Sequence, residues 1–300
     1  MKPCVFTGVA TALITPFASD GSVNYTELDR EIEFQLAGGV NAIVVCGTTG
    51  ESATLSNPEH CRIMEHTINY VNGRVPVIAG TGSNDTTYAL ELSKEAARLG
   101  ADALLLVSPY YNKTSQSGLV KHFNYIAERV DTPCILYNVP SRTGCNIKPE
   151  TYLTLSLTPN IVAVKEANGD LSAIAQTAAL CGDALTIYSG NDDQTIPVLA
   201  LGGKGVVSVL SNICPSEMVR ITDLWFSGHI EESRAVFLQW LDLMNALFYD
   251  VNPIPVKAAM QKMGYNCGKC RLPLTDMPDS SMQMLVNVLK KHQLLDNKTT

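Results

Sequence analysis

Three hundred residues, 46% of them apolar and only 17% charged, provide enough chain for a substantial core and argue against disorder. A net charge of -7, with no long run of either sign, argues against electrostatic nucleic-acid binding. Apolar stretches such as Ala103 to Val107 fall well short of the ~18 residues of a bilayer span, and Met1 to Phe17 lacks a signal peptide's unbroken apolar segment, so no membrane association and a cytoplasmic location are expected.

Along the chain, short β-branched or apolar runs alternate with helix-length polar segments. The runs predict strands at Gly8 to Thr15, Ala42 to Gly47, Pro76 to Gly82, Ala103 to Pro109, Pro133 to Pro140, Ile161 to Ala167, Leu185 to Gly190 and Val206 to Leu210. Apolar spacings of three and four predict helices between them, for example Thr26 to Ala37, Asn57 to Tyr70, Thr86 to Leu99 and Gly118 to Val130. This alternation implies a parallel sheet covered on both faces, and eight units match an α/β fold of the closed (β/α)8 TIM barrel type. The runner-up, an open doubly wound sheet, lacks its usual fingerprint, because Gly80-Thr-Gly82 has no third glycine at the right offset.

After residue 228 the pattern becomes helical. Glu231 to Phe248 places Val236, Trp240, Leu243, Met244 and Leu247 on one face, and Pro255 suits the first turn of a helix through Met263. A last helix is expected near Ser280, with Gln283 completing a capping box. The chain thus divides into a catalytic barrel over 1–228 and a small C-terminal helical region over 229–300. Nine scattered cysteines read as reduced and mostly buried. Cys267-Gly-Lys-Cys270 has the spacing of half a zinc site without a second pair, and His60 and His66 lie too far apart to share one helical face, so no metal is expected.

In such a barrel the working groups emerge from the C-terminal ends of strands. The polar strand ends are Cys46-Gly-Thr-Thr-Gly-Glu51, Ser108-Pro-Tyr-Tyr-Asn112, Tyr137-Asn-Val-Pro-Ser-Arg-Thr-Gly144 and Val164-Lys-Glu-Ala167. Lys165 follows the buried run Ile161 to Val164. Burial disfavours an ammonium and exposes a nucleophilic lone pair able to form a Schiff base with a ketone. The alternative is a snorkelling lysine or a partner for Glu166. Gly47-Thr48-Thr49-Gly50 offers hydroxyls and amides to a small carboxylate, or is an ordinary glycine turn. Tyr137 could move a proton at the imine with Thr49 and Tyr110 or Tyr111, or simply pack. Arg142 carries a planar fork suited to a carboxylate, or makes a surface salt bridge.

Together with Asn252-Pro-Ile-Pro-Val-Lys257, these strand ends closely resemble the dihydrodipicolinate synthase family along nearly the whole chain. The resemblance implies a lyase of class I aldolase type that needs no cofactor. Lys165 would form an imine with pyruvate, and the derived enamine would attack aspartate semialdehyde before cyclisation, a step of lysine and diaminopimelate biosynthesis. By motif match, Tyr137, Thr49 and Tyr111 look like a proton relay, with Tyr111 reaching into a neighbouring subunit's site. Thr48 and Thr49 would hold the pyruvate carboxylate and Arg142 that of the semialdehyde, while Gly190 and Val207 match pocket-lining positions. The resemblance also implies a homotetramer built as a dimer of dimers.

Lysine-inhibited members of the family hold the effector at positions matching Ala53, Asn57, His60, Asn84, Tyr88 and Tyr110. A carboxylate is expected at Tyr88 and a histidine at Asn57, so weak or no inhibition by lysine is expected here. Three alternatives stand beside this reading. An N-acetylneuraminate lyase-like or other pyruvate aldolase shares the barrel and the lysine, but a sugar acid does not need Arg142 in that place. A pyridoxal-phosphate enzyme also needs a Schiff-base lysine, but would require a phosphate cradle. A ligand-sensing barrel would more readily have lost one of Lys165, Tyr137, Thr49, Tyr111 and Arg142.

Overall fold

All eight predicted strands form in the computed structural model, which describes residues 2–295. They are β1 (Gly8–Ala12), β2 (Ala42–Val45), β3 (Val77–Gly80), β4 (Ala103–Val107), β5 (Cys134–Asn138), β6 (Ile161–Glu166), β7 (Thr186–Ser189) and β8 (Gly205–Ser208). Each pairs in parallel with its successor, and β8 closes on β1, so the sheet is a closed barrel. Most strands stop short of their sequence runs. The run residues beyond the strand ends form loops at the C-terminal mouth, and Leu210, the expected end of the eighth run, opens a turn of 3-10 helix, Leu210–Asn212.

Helices α1 (Tyr25–Ala37), α2 (Asn57–Val71), α3 (Thr86–Leu99), α4 (Gln116–Ala127), α5 (Pro140–Thr143), α6 (Pro149–Leu155), α7 (Leu171–Cys181), α8 (Thr195–Ala200) and α9 (Pro215–Phe226) alternate with or follow the strands. After them come α10 (Ile230–Ala246), α11 (Ile254–Lys262) and α12 (Asp279–Lys291). Short polar side chains start several of these helices by accepting orphan amides. Ser56 and Glu59 form a reciprocal box at α2, and Asp85, Ser115 and Asp170 cap α3, α4 and α7. The last helix corrects the sequence reading. It starts at Asp279, with extended Pro278 before it, so Ser280 lies inside the first turn and caps nothing. Gln283 instead donates to Asn287 one turn on.

Strand residues alternate between two cores. Outward-facing Val9, Ile43, Val77, Leu104, Leu136, Val164 and Val206 pack under the helices. The inward set is mostly small, with Ala10, Ala12, Ala42, Ala103 and Ala163, and it leaves room for Phe6 and Tyr188, whose rings stack at 4.1 Å. Both faces of the sheet are therefore apolar, as a parallel barrel requires. No helix among the described residues is long and apolar enough to cross a membrane.

Candidate active site

Register places the central groups. Tyr137 on β5 pairs with Lys165 on β6, so their side chains leave the sheet on the same inward face. The Lys165 ammonium lies 4.2 Å from the centroid of the Tyr137 ring. Lys165 is 6% exposed and makes no ion pair or hydrogen bond among the described residues. Its neighbour Glu166 is not its partner, because alternation turns Glu166 outward. There it accepts hydrogen bonds from Tyr152 Oη (2.7 Å), Asn138 Nδ2 (3.0 Å) and the Asn168 amide (3.0 Å). Burial nevertheless pushes the Glu166 carboxyl up to about 7, against the pull of these donors.

Lys165 and Tyr137 open into a cavity of about 420 Å³ at the barrel mouth. Thr49, Val139, Ser141, Arg142, Ala167 and Gly190 line it from the strand ends, Asn191 and Val209 from the loops after β7 and β8, and Phe248, Asp250, Val251 and Asn252 from the segment before α11. Gly190 is required by close approach. A Cβ there would lie 2.7 Å from that of Ala167 and 3.0 Å from the Glu166 carbonyl, beside the strand that carries Lys165.

The loop after β2 is held from several sides. Cys46 and Glu51 bracket it in the left-handed region, with φ of 54° and 55°. Thr15 Oγ1 donates to the Gly50 carbonyl (2.7 Å), and Asn252 Nδ2 donates to Thr49 Oγ1 (3.0 Å). Glu51 is 4% exposed; its Oε1 meets Lys257 Nζ at 2.8 Å, and its Oε2 accepts from the Arg271 amide at 2.8 Å. Lys257 also donates to the carbonyls of Thr15 and Lys269, which fastens α11 and the chain after it to this loop.

Thr48 faces a second cavity, of about 330 Å³, which shares Val139, Arg142 and Asn252 with the first. Ala53, His60, Tyr88 and Tyr110 line it as well. Asn57 does not line it but accepts a hydrogen bond from Tyr88 Oη (3.3 Å). Asn84 lies in a separate recess with Asn112 and Lys113, its carbonyl accepting from Asn112 Nδ2. His60 bonds the Gly80 carbonyl at 2.8 Å, and burial lowers its pKa below the ordinary histidine value. Among the described residues the one carboxylate lining this cavity, that of Glu51, is already paired with Lys257.

Arg142 is exposed at the boundary between the cavities and donates to the Asn252 carbonyl at 3.1 Å; it makes no ion pair among the described residues. Tyr111 is 90% exposed, at a left-handed φ of 69°, and lies outside the Lys165 cavity of its own chain. Val207 packs in the inner core at 1% exposure, and Val209, just past the end of β8, lines the cavity instead. The Val209 and Leu210 amides are fixed by buried Asp192, at 3.0 and 2.9 Å. Sequence reasoning did not single out Asp192, Val209 or the role of Asn252; the last is visible only as a motif. Burial pushes the thiols of Cys267 and Cys270 up to about 12, which suits inert thiols rather than reactive ones.

A protein-family model, that of the dihydrodipicolinate synthetase family, matches residues 5–292. The 4-hydroxy-tetrahydrodipicolinate synthase of Acetivibrio thermocellus is 51% identical over 295 residues, which cover 98% of this chain and all of that protein. The enzyme of the same name from Clostridium perfringens is 52% identical over 291 residues, covering 97% of this chain and all of its own. The crystal structure of dihydrodipicolinate synthase from Thermotoga maritima superposes with a TM-score of 0.95 at 44% identity, over 97% of this chain and all of the other.

Proposed function

The chain belongs to the dihydrodipicolinate synthetase family, and from that premise we propose that it condenses pyruvate with L-aspartate 4-semialdehyde as a 4-hydroxy-tetrahydrodipicolinate synthase. The observation that carries this reading is a buried lysine set against a tyrosine in a cavity with an arginine at its edge, neither cation ion-paired among the described residues. The Lys165 amine attacks C2 of pyruvate and water leaves, giving an imine that draws electrons from C3. Loss of a C3 proton yields the enamine, whose C3 forms the new carbon–carbon bond to the semialdehyde's aldehyde carbon. The semialdehyde amine then attacks C2, the ring closes, and Lys165 departs as the free amine.

The Tyr137 ring lies beside the reacting nitrogen, and its phenol is assigned as the immediate proton carrier. The relay continues through the Thr49 hydroxyl and Tyr111. Thr49 shares the cavity of Lys165 and suits the keto-acid carboxylate, whereas Thr48 faces the side that bears Tyr110. Tyr111, exposed in its own chain, is assigned to the site of a second copy within a homotetramer. Arg142 receives the semialdehyde carboxylate through a permanently charged planar fork. A sugar-acid aldolase reading is disfavoured by the names of the half-identical relatives.

Borohydride reduction in the presence of pyruvate, followed by peptide mapping, tests the proposal. A carboxyethyl adduct confined to Lys165, absent in Lys165→Ala, supports it. A folded protein that forms no adduct overturns it.

A further inference from the structure

Asn252 lies two residues before the first residue of α11 and follows Thr49 by 203, yet its Nδ2 donates to Thr49 Oγ1 at 3.0 Å. The residue is 5% exposed and borders both cavities. Its other amide atom, Oδ1, is buried and has no partner among the described residues, so donation to Thr49 is the one hydrogen bond its side chain makes there. Turned the other way, the amide would leave both of its N–H hydrogens without an acceptor, against one N–H hydrogen and the carbonyl oxygen as observed, and a bare buried N–H is the rarer of the two defects.

A threonine hydroxyl has one hydrogen. Because Asn252 fills an acceptor position on Oγ1, that hydrogen is free to be given to a third group, and Thr49 faces the cavity that holds Lys165. A carboxylate can only accept, so a threonine can hold it only by donating. We propose that Asn252 is a positioning residue that sets the Thr49 hydroxyl as a donor to the carboxylate of the bound 2-keto acid. This rests on the pyruvate reading given above. The Asn252 main chain has a separate task, since its carbonyl accepts from Arg142 Nη2 at 3.1 Å. Side-chain and main-chain functions can therefore be separated by truncation.

The test is a double-mutant cycle of Asn252→Ala with Thr49→Val, read by steady-state kinetics and by borohydride trapping of pyruvate on Lys165. Asn252→Ala should raise the KM for pyruvate about two- to tenfold, the scale of one neutral hydrogen bond. It should slow trapping at low pyruvate and spare the KM for the semialdehyde, because the carbonyl that meets Arg142 remains. In the Thr49→Val background it should cost nothing further. Additive effects, or equal rises in both KM values, overturn the proposal. Asn252→Asp, of nearly the same shape but with no hydrogen to give at neutral pH, serves as the same test if the alanine variant does not fold. Absence of any trapped pyruvate in the unmodified protein overturns the pyruvate reading itself, an outcome visible before any variant is compared.

Discussion

Lys165 and Glu166 are adjacent in the chain and face opposite sides of β6, and that parity separates chemistry from support. Glu166 carries a pH dependence with a definite sign. Its carboxyl sits at about 7 in the folded protein, against an ordinary value of 4.5. Between those values the folded state holds the extra proton, so stability falls as pH rises through the window and levels off above about 7. Glu166→Gln should remove this slope, on the order of 1–3 kcal/mol. Melting curves of both proteins from pH 5 to 8 check it, and parallel profiles would refute it. Arg142→Ala should raise the KM for the semialdehyde roughly ten- to hundredfold and that for pyruvate far less. Equal effects on both substrates would reduce Arg142 to its bond with the Asn252 carbonyl. Lysine is expected to inhibit weakly, because Tyr88 bonds Asn57 and the one carboxylate lining that cavity is engaged by Lys257. Strong inhibition at sub-millimolar lysine would contradict it. The strand-end polar residues were legible in the sequence because parallel strands are otherwise apolar. The swap of Val209 for Val207 was not, since it depends on where β8 ends.

At the scale of elements, the loop after β2 is held in place by the chain around α11. The pair Glu51–Lys257 is almost wholly buried and satisfied by further hydrogen bonds to the Thr15 and Lys269 carbonyls and from the Arg271 amide. Removing one partner strands a charge, so Lys257→Met should destabilise the fold by about 3–5 kcal/mol, with Glu51→Gln added to it recovering a good part. Urea unfolding of the single and double variants measures this, and a double variant no better than the single would count against it. Helices and strands were legible from local periodicity and caps. The Glu51–Lys257 and Thr49–Asn252 contacts were not, because each joins residues more than 200 positions apart. The misplaced cap of α12 has a local cause. Ser280 matches the spacing of a capping box, but Pro278 already turns the chain into the helix two residues earlier.

At the scale of the whole molecule, the closed barrel was legible from eight evenly spaced runs, whereas assembly was not. A tyrosine 90% exposed beside Tyr110, itself 36% exposed, suits a surface met by another copy. If Tyr111 serves a neighbour's site, Tyr111→Phe and Lys165→Ala should each be impaired alone and regain activity when dissociated, mixed and reassembled. In a mixed pair one site then holds both an intact lysine and an intact tyrosine. No recovery in mixtures shown by sedimentation to be reassembled would place Tyr111 outside the partner's site. The attachment of Asn252 and Lys257 to the loop after β2 also has a consequence in time. During synthesis all eight strands leave the ribosome before either residue does, so a growing chain can close its barrel while the loop beside Lys165 still lacks its fastenings. The site is completed only when the last sixth of the polypeptide arrives, and a product truncated before Asn252 would be a barrel with its nucleophile and no fixed seat for the substrate.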